Sequence, residues 1–192
     1  MVGQGAEDVT SGKEGEPYAR LDKPSSMPRI NLALVKPSED YLPAYVEALK
    51  HGWSPSMHED VREDELARIR ADARGFLAAV NARDVRSGLP GFHRWMWDGE
   101  FAGAIKLRWR VGTADLPPDV FGHIGYHVVP WKRRRGYATA ALSLMLGEAR
   151  KLGLPYVEII TDFCNVPSQR VIVANGGVLF EEVDALRFRI AL

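Results

Sequence analysis

Residues 128–146 read VVPWKRRRGYATAALSLML. An apolar pair and a proline close one segment, and Lys132, Arg133, Arg134 and Arg135 follow without a break. Gly136 comes next, and then Ala138, Leu142, Met145, Ala149 and Leu152 recur at helical spacing until Gly153. The order is strand, loop, glycine, helix. The first turn of a helix has unpaired N–H groups and about half a positive charge, so an anion seated there gains hydrogen bonds and a favourable dipole together. Gly136 lets the backbone come close to such an anion, and Ala138 keeps the next outward position small. Arginine forks beside the loop suit phosphate oxygens. The spacing Arg133-x-x-Gly136-x-Ala138 is neither the G-x-G-x-x-G of a dinucleotide fold nor the G-x-x-x-x-G-K-[ST] of a P-loop.

The basic run is a local feature. Lys plus Arg number 25 and Asp plus Glu 25 in a chain of 192 residues, so nothing in the whole favours a polyanion. Without a basic excess or interleaved aromatics, KRRR is not read as a nucleic-acid patch. Apolar residues make up 46%, ordinary for one globular domain with a real core. No stretch approaches the roughly 20 apolar residues of a membrane helix. The N-terminus lacks a secretory apolar core, and the expected location is cytoplasmic with no membrane partner. Cys164 is the lone cysteine, which excludes an internal disulfide, and no ligand cluster suggests a metal.

Residues 1–28 hold Gly, Ser, Glu, Lys and Pro with few large apolar side chains, the composition of a flexible tail; residues 29–192 read as one domain. INLALV (30–35) is a short strand. Ser38 is the expected N-cap of a helix carrying Leu42, Tyr45, Val46 and Leu49. Residues 61–80 repeat the helical pattern with Leu66, Ile69, Ala73, Phe76, Leu77 and Val80 on one face. Asp98-Gly99 predicts a two-residue type I′ turn in a hairpin whose second arm alternates Phe101, Gly103, Ile105, Leu107 and Trp109 with polar or small residues, one face buried and one wet. GHIGYHVV (122–129) and YVEIITD (156–162) are strands around the helix after Gly136. A short helix from Asn165 to Ala174 and two final strands complete the chain. Such an order makes a mixed α/β domain, α+β in the broad sense.

HVVPWKRRRGYATAAL resembles the coenzyme A-binding motif of the GNAT N-acetyltransferase superfamily, [QR]-x-x-G-x-[GA] after a strand ending V-x-P. TDFCNVPSQRVIVANGG is similar to that family's next strand-helix segment, with Asn165, Ser168 and Asn175-Gly176 in step. GHIGYHVVP further resembles a bacterial branch of predicted acetyltransferases with a G-H-I-G-Y strand. The resemblance implies a mixed, mostly antiparallel sheet of about seven strands with about four helices, parted in a V between two parallel strands. It implies acetyl-CoA as co-substrate, a primary amine of a small molecule or protein as acceptor, and direct transfer through a tetrahedral intermediate. A homodimer is left open.

On this resemblance Val128 and Val129 pair with the pantetheine arm. Arg133, Arg134, Arg135, Gly136, Tyr137, Ala138 and Thr139 surround the diphosphate, and Asn165 and Ser168 contact the arm. A backbone N–H of the first strand would hold the oxyanion. Many members place a tyrosine acid on the helix after the second strand, where this chain has Ile172, so Ser168 or solvent stands in for it. His123 is the first candidate base, its ordinary pKa of about 6.5 suiting proton removal near neutrality. Glu158 and Asp162 are alternatives. Trp53, Met57 and His58 are candidates for a wall of the acceptor site. Because the usual acid is missing, a non-catalytic acyl-CoA-binding or sensing module is the competing reading.

Overall fold

The computed structural model describes residues 30–56, 59–82 and 88–192. The expected tail at 1–28, and Met57 and His58, lie outside them. Two antiparallel sheets form the frame. In the first, β1 (Ala33–Val35), β2 (Gly91–Trp97), β3 (Phe101–Arg108) and β4 (Ile124–Val128) pair in chain order. In the second, β7 (Leu186–Ala191) lies between β5 (Tyr156–Thr161) and β6 (Val178–Glu182). The seven strands agree with the expected architecture.

Among the described residues five α-helices stand where about four were expected: α1 (Leu42–Lys50), α2 (Arg62–Ala71), α3 (Ala73–Asn81), α4 (Tyr137–Lys151) and α5 (Val166–Ala174). The extra one arises because the 61–80 segment breaks at Asp72. Its backbone leaves the helical region (φ −156°, ψ 89°), and its carboxylate accepts the Gly75 N–H at 2.8 Å. An aspartate side chain competes with the helix for an amide and restarts it as a cap. Ser38 is not the cap of α1. Its carbonyl accepts N–H bonds from Tyr41 and Leu42 (3.2 and 3.1 Å), and this turn delays the helix to Leu42.

The β2–β3 connection also differs from the type I′ expectation. Trp97 stands opposite Phe101 after a register shift at Met96/Trp97, which leaves Asp98, Gly99 and Glu100 as a three-residue link. The Asp98 carboxylate accepts the Glu100 N–H at 3.1 Å and fixes that link. Nor is β3 wet on one face. Phe101, Ala102 and Gly103 are consecutively buried, because helices cover both sides of the sheet.

On one side α4 presents Ala141, Leu142, Met145, Leu146 and Ala149 to Ile105, Leu107, Ile124, Val157 and Phe188. On the other, Leu42, Tyr45, Leu49, Phe76 and Leu77 pack over Trp95, Phe101 and Val129. Trp53 is part of this second core, its ring 4.9 Å from that of Phe101. It therefore does not wall an acceptor site. Fully burying one such side chain contributes about 1.5–3 kcal/mol, so these layers fix the sheets rigidly.

Among the described residues, the backbones of the two sheets are hydrogen-bonded at one point. The His123 N–H donates to the Glu158 carbonyl at 2.7 Å, just before β4 and within β5. Close approach there requires Gly122 (φ +64°): a Cβ would lie 2.8 Å from the same Glu158 oxygen. β4 and β5 are joined by the α4 crossover and belong to different sheets. Beyond this junction no β4–β5 ladder forms among the described residues, as the V-shaped opening implied by the resemblance requires.

Candidate active site

The loop that leaves β4 turns twice into the left-handed region, at Arg134 (φ 61°) and Gly136 (φ 88°, ψ 0°). Arg134 is the only non-glycine residue with positive φ among the described residues. Left-handed turns close together gather backbone N–H groups into an anion-binding concavity. Gly136 is the N-cap of α4 and, having no side chain, caps nothing, so the first-turn amides around Tyr137, Ala138 and Thr139 keep their donors. Arg133, Arg134 and Arg135 are exposed around this turn, and the Arg133 Nε donates to the Val128 carbonyl at 3.1 Å.

Lys132 behaves differently from its three neighbours. It is buried, with Nζ 2.7 and 2.8 Å from the two oxygens of Asp98 and 3.3 Å from Glu100. Burial pulls its pKa down, but these carboxylate bonds outweigh that and raise it. For Asp98, burial pushes up and the bonds from Lys132 and Tyr137 more than offset it, leaving the carboxyl below its usual range. The Tyr137 hydroxyl donates to the same carboxylate. One of the four residues in the basic run thus belongs to the frame.

Ladder geometry selects the strand groups that face the opening. Val129 donates to the Ala102 carbonyl (3.1 Å) and Arg108 to the His123 carbonyl (2.9 Å), so the odd-numbered positions of β4 bond β3. The backbone groups of Ile124, Tyr126 and Val128 consequently point toward the parted β5 edge. This leaves the Val128 N–H on that edge, its carbonyl bonded to Arg133, and corrects Val129. Its N–H is engaged by Ala102, its carbonyl accepts the Lys132 N–H at 3.0 Å, and its side chain is buried.

Between β4 and α5, the Tyr126 hydroxyl lies 2.8 Å from Ser168 Oγ. Burial pushes the tyrosine up to about 12, opposed in part by the Ser168 bond. Ser168 is held from behind: the Asn165 side chain caps α5 by accepting the Ser168 N–H at 3.2 Å. Asn175 donates to the carbonyls of Thr139 (3.2 Å) and Val171 (2.9 Å), tying α5 to the first turns of α4. Ile172 is fully buried in the core. Thr161, at the end of β5, has a buried hydroxyl with no hydrogen-bond partner among the described residues. The reading from sequence missed Tyr126 and Thr161. Tyr126 shares a strand face with Ile124 and Val128, and that parity was the available signal.

His123 is corrected as a base. Its side chain is fully buried, its Nε2 lies 3.0 Å from the Ala114 carbonyl, and its Nδ1 accepts the Glu158 N–H at 3.0 Å. A backbone N–H can only donate, so Nδ1 is the unprotonated nitrogen and Nε2–H donates to Ala114. Both ring nitrogens are engaged and neither is open to an acceptor. Burial holds the imidazole below its ordinary pKa, against a smaller opposing pull from Glu158. The Glu158 carboxylate is ion-paired with Arg189 at 2.6 Å. Cys164 is exposed in the turn before α5.

A cradle at a helix N-terminus beside two parted strands makes this a GNAT-type scaffold. Over residues 31–178 the chain matches the family described as Acetyltransferase (GNAT) domain, and it belongs to that family. No curated protein matches it. Among solved structures it is similar to Mycobacterium smegmatis RimJ in complex with CoA-disulfide, at 20% identity over 83% of this chain and 81% of that one (TM-score 0.60). RimL, a ribosomal L7/L12 alpha-N-protein acetyltransferase in complex with coenzyme A, is 16% identical over 86% and 97% (TM-score 0.56). The PaiA N-acetyltransferase of Thermoplasma acidophilum in complex with coenzyme A is 14% identical over 84% and 99% (TM-score 0.55). At these identities the likenesses establish the fold.

Proposed function

We propose that the protein transfers the acetyl group of acetyl-CoA directly to a primary amine. The observation that carries this reading is the uncapped N-terminus of α4, entered through left-handed turns at Arg134 and Gly136 and flanked by exposed arginines. In this reading the diphosphate lies on the amides of residues 134–139, with Arg133, Arg134 and Arg135 beside it. The pantetheine arm follows the β4 edge at Tyr126 and at the Val128 N–H, the Val128 carbonyl being bonded to Arg133, and Asn165 shapes the far wall through α5. Family membership, and the coenzyme A complexes of the RimL and PaiA relatives, support the same co-substrate.

The neutral amine attacks the thioester carbonyl, and a β4 amide holds the oxyanion. Collapse breaks the C–S bond; the thiolate accepts a hydrogen bond from Ser168, whose hydroxyl is bonded to Tyr126, and takes its proton from solvent, which receives the one the amine releases. Tyr126, pushed up to about 12, keeps its own proton throughout the working range and stays a donor to Ser168. This pair takes the place of the tyrosine that Ile172 displaces. The amine proton leaves to water, since His123 and Glu158 are both engaged elsewhere. Thr161 offers a further buried donor at the end of β5. The test is acetyl-CoA with a broad panel of amines, reading free thiol. Amine-dependent thiol release is expected; CoA binding with no release across the panel would favour the binding-module reading.

A further inference from the structure

The cradle loop has two ends, and one carboxylate holds both. Lys132 precedes the left-handed turns and Tyr137 follows them as the first residue of α4. Asp98, on the three-residue link between β2 and β3, accepts from the Lys132 ammonium at 2.7 and 2.8 Å and from the Tyr137 hydroxyl. Its side chain is 16% exposed and that of Lys132 8%, so water competes little for either. The Lys132 ammonium also sits 5.6 Å from the centre of the Tyr137 ring. Asp98 is thereby anchored 34 and 39 residues away from the groups it bonds.

We propose that Asp98 is a positioning residue for coenzyme A. By clamping Lys132 and Tyr137 together it holds the residues between them in the left-handed turns that turn the backbone N–H groups outward. Arg134 is a side-chain-bearing residue in that region, a conformation that persists only when its surroundings over-determine it. The Asp98–Lys132 pairing also sets the charge of the loop. The acid that stands near the cradle is neutralised by the buried lysine, so an arriving diphosphate meets the three exposed arginines without a facing unpaired carboxylate. Glu100, also within 3.3 Å of Lys132, is largely exposed and contributes less to the clamp.

This inference rests on the acyl-CoA reading of the loop, and the experiment separates the two. Coenzyme A is titrated calorimetrically into the wild-type chain, D98N, D98N/K132M and Y137F, with thermal midpoints taken in parallel. D98N leaves a buried ammonium without its carboxylate, so both stability and affinity fall. D98N/K132M removes both charges together, and its midpoint recovers toward wild type. The expected result is a coenzyme A Kd at least tenfold above wild type in D98N that stays at least fivefold above it in the recovered double variant. A purely structural role would restore affinity with stability. Y137F keeps the ion pair and releases only the helix end; its expected Kd is about threefold above wild type, and it carries the test should D98N not fold. Wild-type Kd in D98N/K132M, or in Y137F when D98N is unfolded, overturns the inference while the cradle reading stands. Absence of binding by the wild-type chain itself overturns both.

Discussion

Ser168 and Tyr126 show how much a single hydrogen bond can decide. Ser168 alone, in the first turn of α5, reads as ordinary helix chemistry; 2.8 Å from the buried Tyr126 hydroxyl of β4, it reads as half of a hydrogen-bonding pair for the leaving thiolate. Ser168→Ala and Tyr126→Phe are each expected to lower turnover about tenfold, the worth of roughly 1.5 kcal/mol for one hydrogen bond to a charged group, with little change in CoA affinity. Because Tyr126 titrates only near 12, wild-type turnover should show no alkaline loss from this group below about pH 10. Steady-state rates across pH check both points, and unchanged rates in both variants would return the leaving thiolate to solvent. Ser168 and Asn165 were legible from the sequence because their spacing matches a motif. Tyr126 was not, because its partner lies 42 residues away and no local spacing encodes that distance.

Among the elements, those with strong periodicity formed where the apolar spacing put them. α4 runs from Tyr137 to Lys151 with Leu142, Met145 and Ala149 buried as expected, although Leu152 lies past its end and is exposed and Ala138 is half-buried; β5 alternates buried and half-buried positions along its length. The failures share a cause: a side chain or carbonyl took an amide that periodicity assigned to a regular element. Asp72 divided one helix into two, Ser38 opened a turn through its carbonyl, and Asp98 lengthened a hairpin link while bonding the cradle loop. Asp72→Ala is expected to cost about 1 kcal/mol of stability, the usual worth of an N-cap. Asn165→Ala should cost a similar amount and also lower turnover, because Ser168 loses its anchor. Chemical denaturation alongside kinetics distinguishes them: Asp72→Ala moves the first measurement only, whereas Asn165→Ala moves both.

At the scale of the whole molecule, two sheets share one junction, and His123 is its centre. Residue type and strand placement suggested a base; the fold uses both ring nitrogens to join Ala114 to the start of β4 and the middle of β5. The sequence could not show this, since the three segments meet only after folding. Burial lowers the folded-state pKa of His123 below 6.5, so the unfolded chain takes up this proton first as pH falls. The contribution is therefore complete above about pH 6.5 and declines as pH drops toward the folded value. Denaturation midpoints between pH 7.5 and 5 should fall in the wild type and be flatter in His123→Asn; parallel slopes would remove His123 as the source.

The V between the sheets exists because that junction is single, and the arginine-flanked turn stands at its edge. Gly136 is where the geometry is least forgiving. Its φ of 88° disfavours any side chain, and a carboxylate there would confront the bound diphosphate. Titration of coenzyme A into the wild-type chain and Gly136→Glu, both checked for folding by circular dichroism, measures this most directly. Saturable binding by the wild type and at least a hundredfold loss in the folded variant are predicted. Equal affinity in the two, or no binding by either, would contradict the seat assigned to the diphosphate at the start of α4.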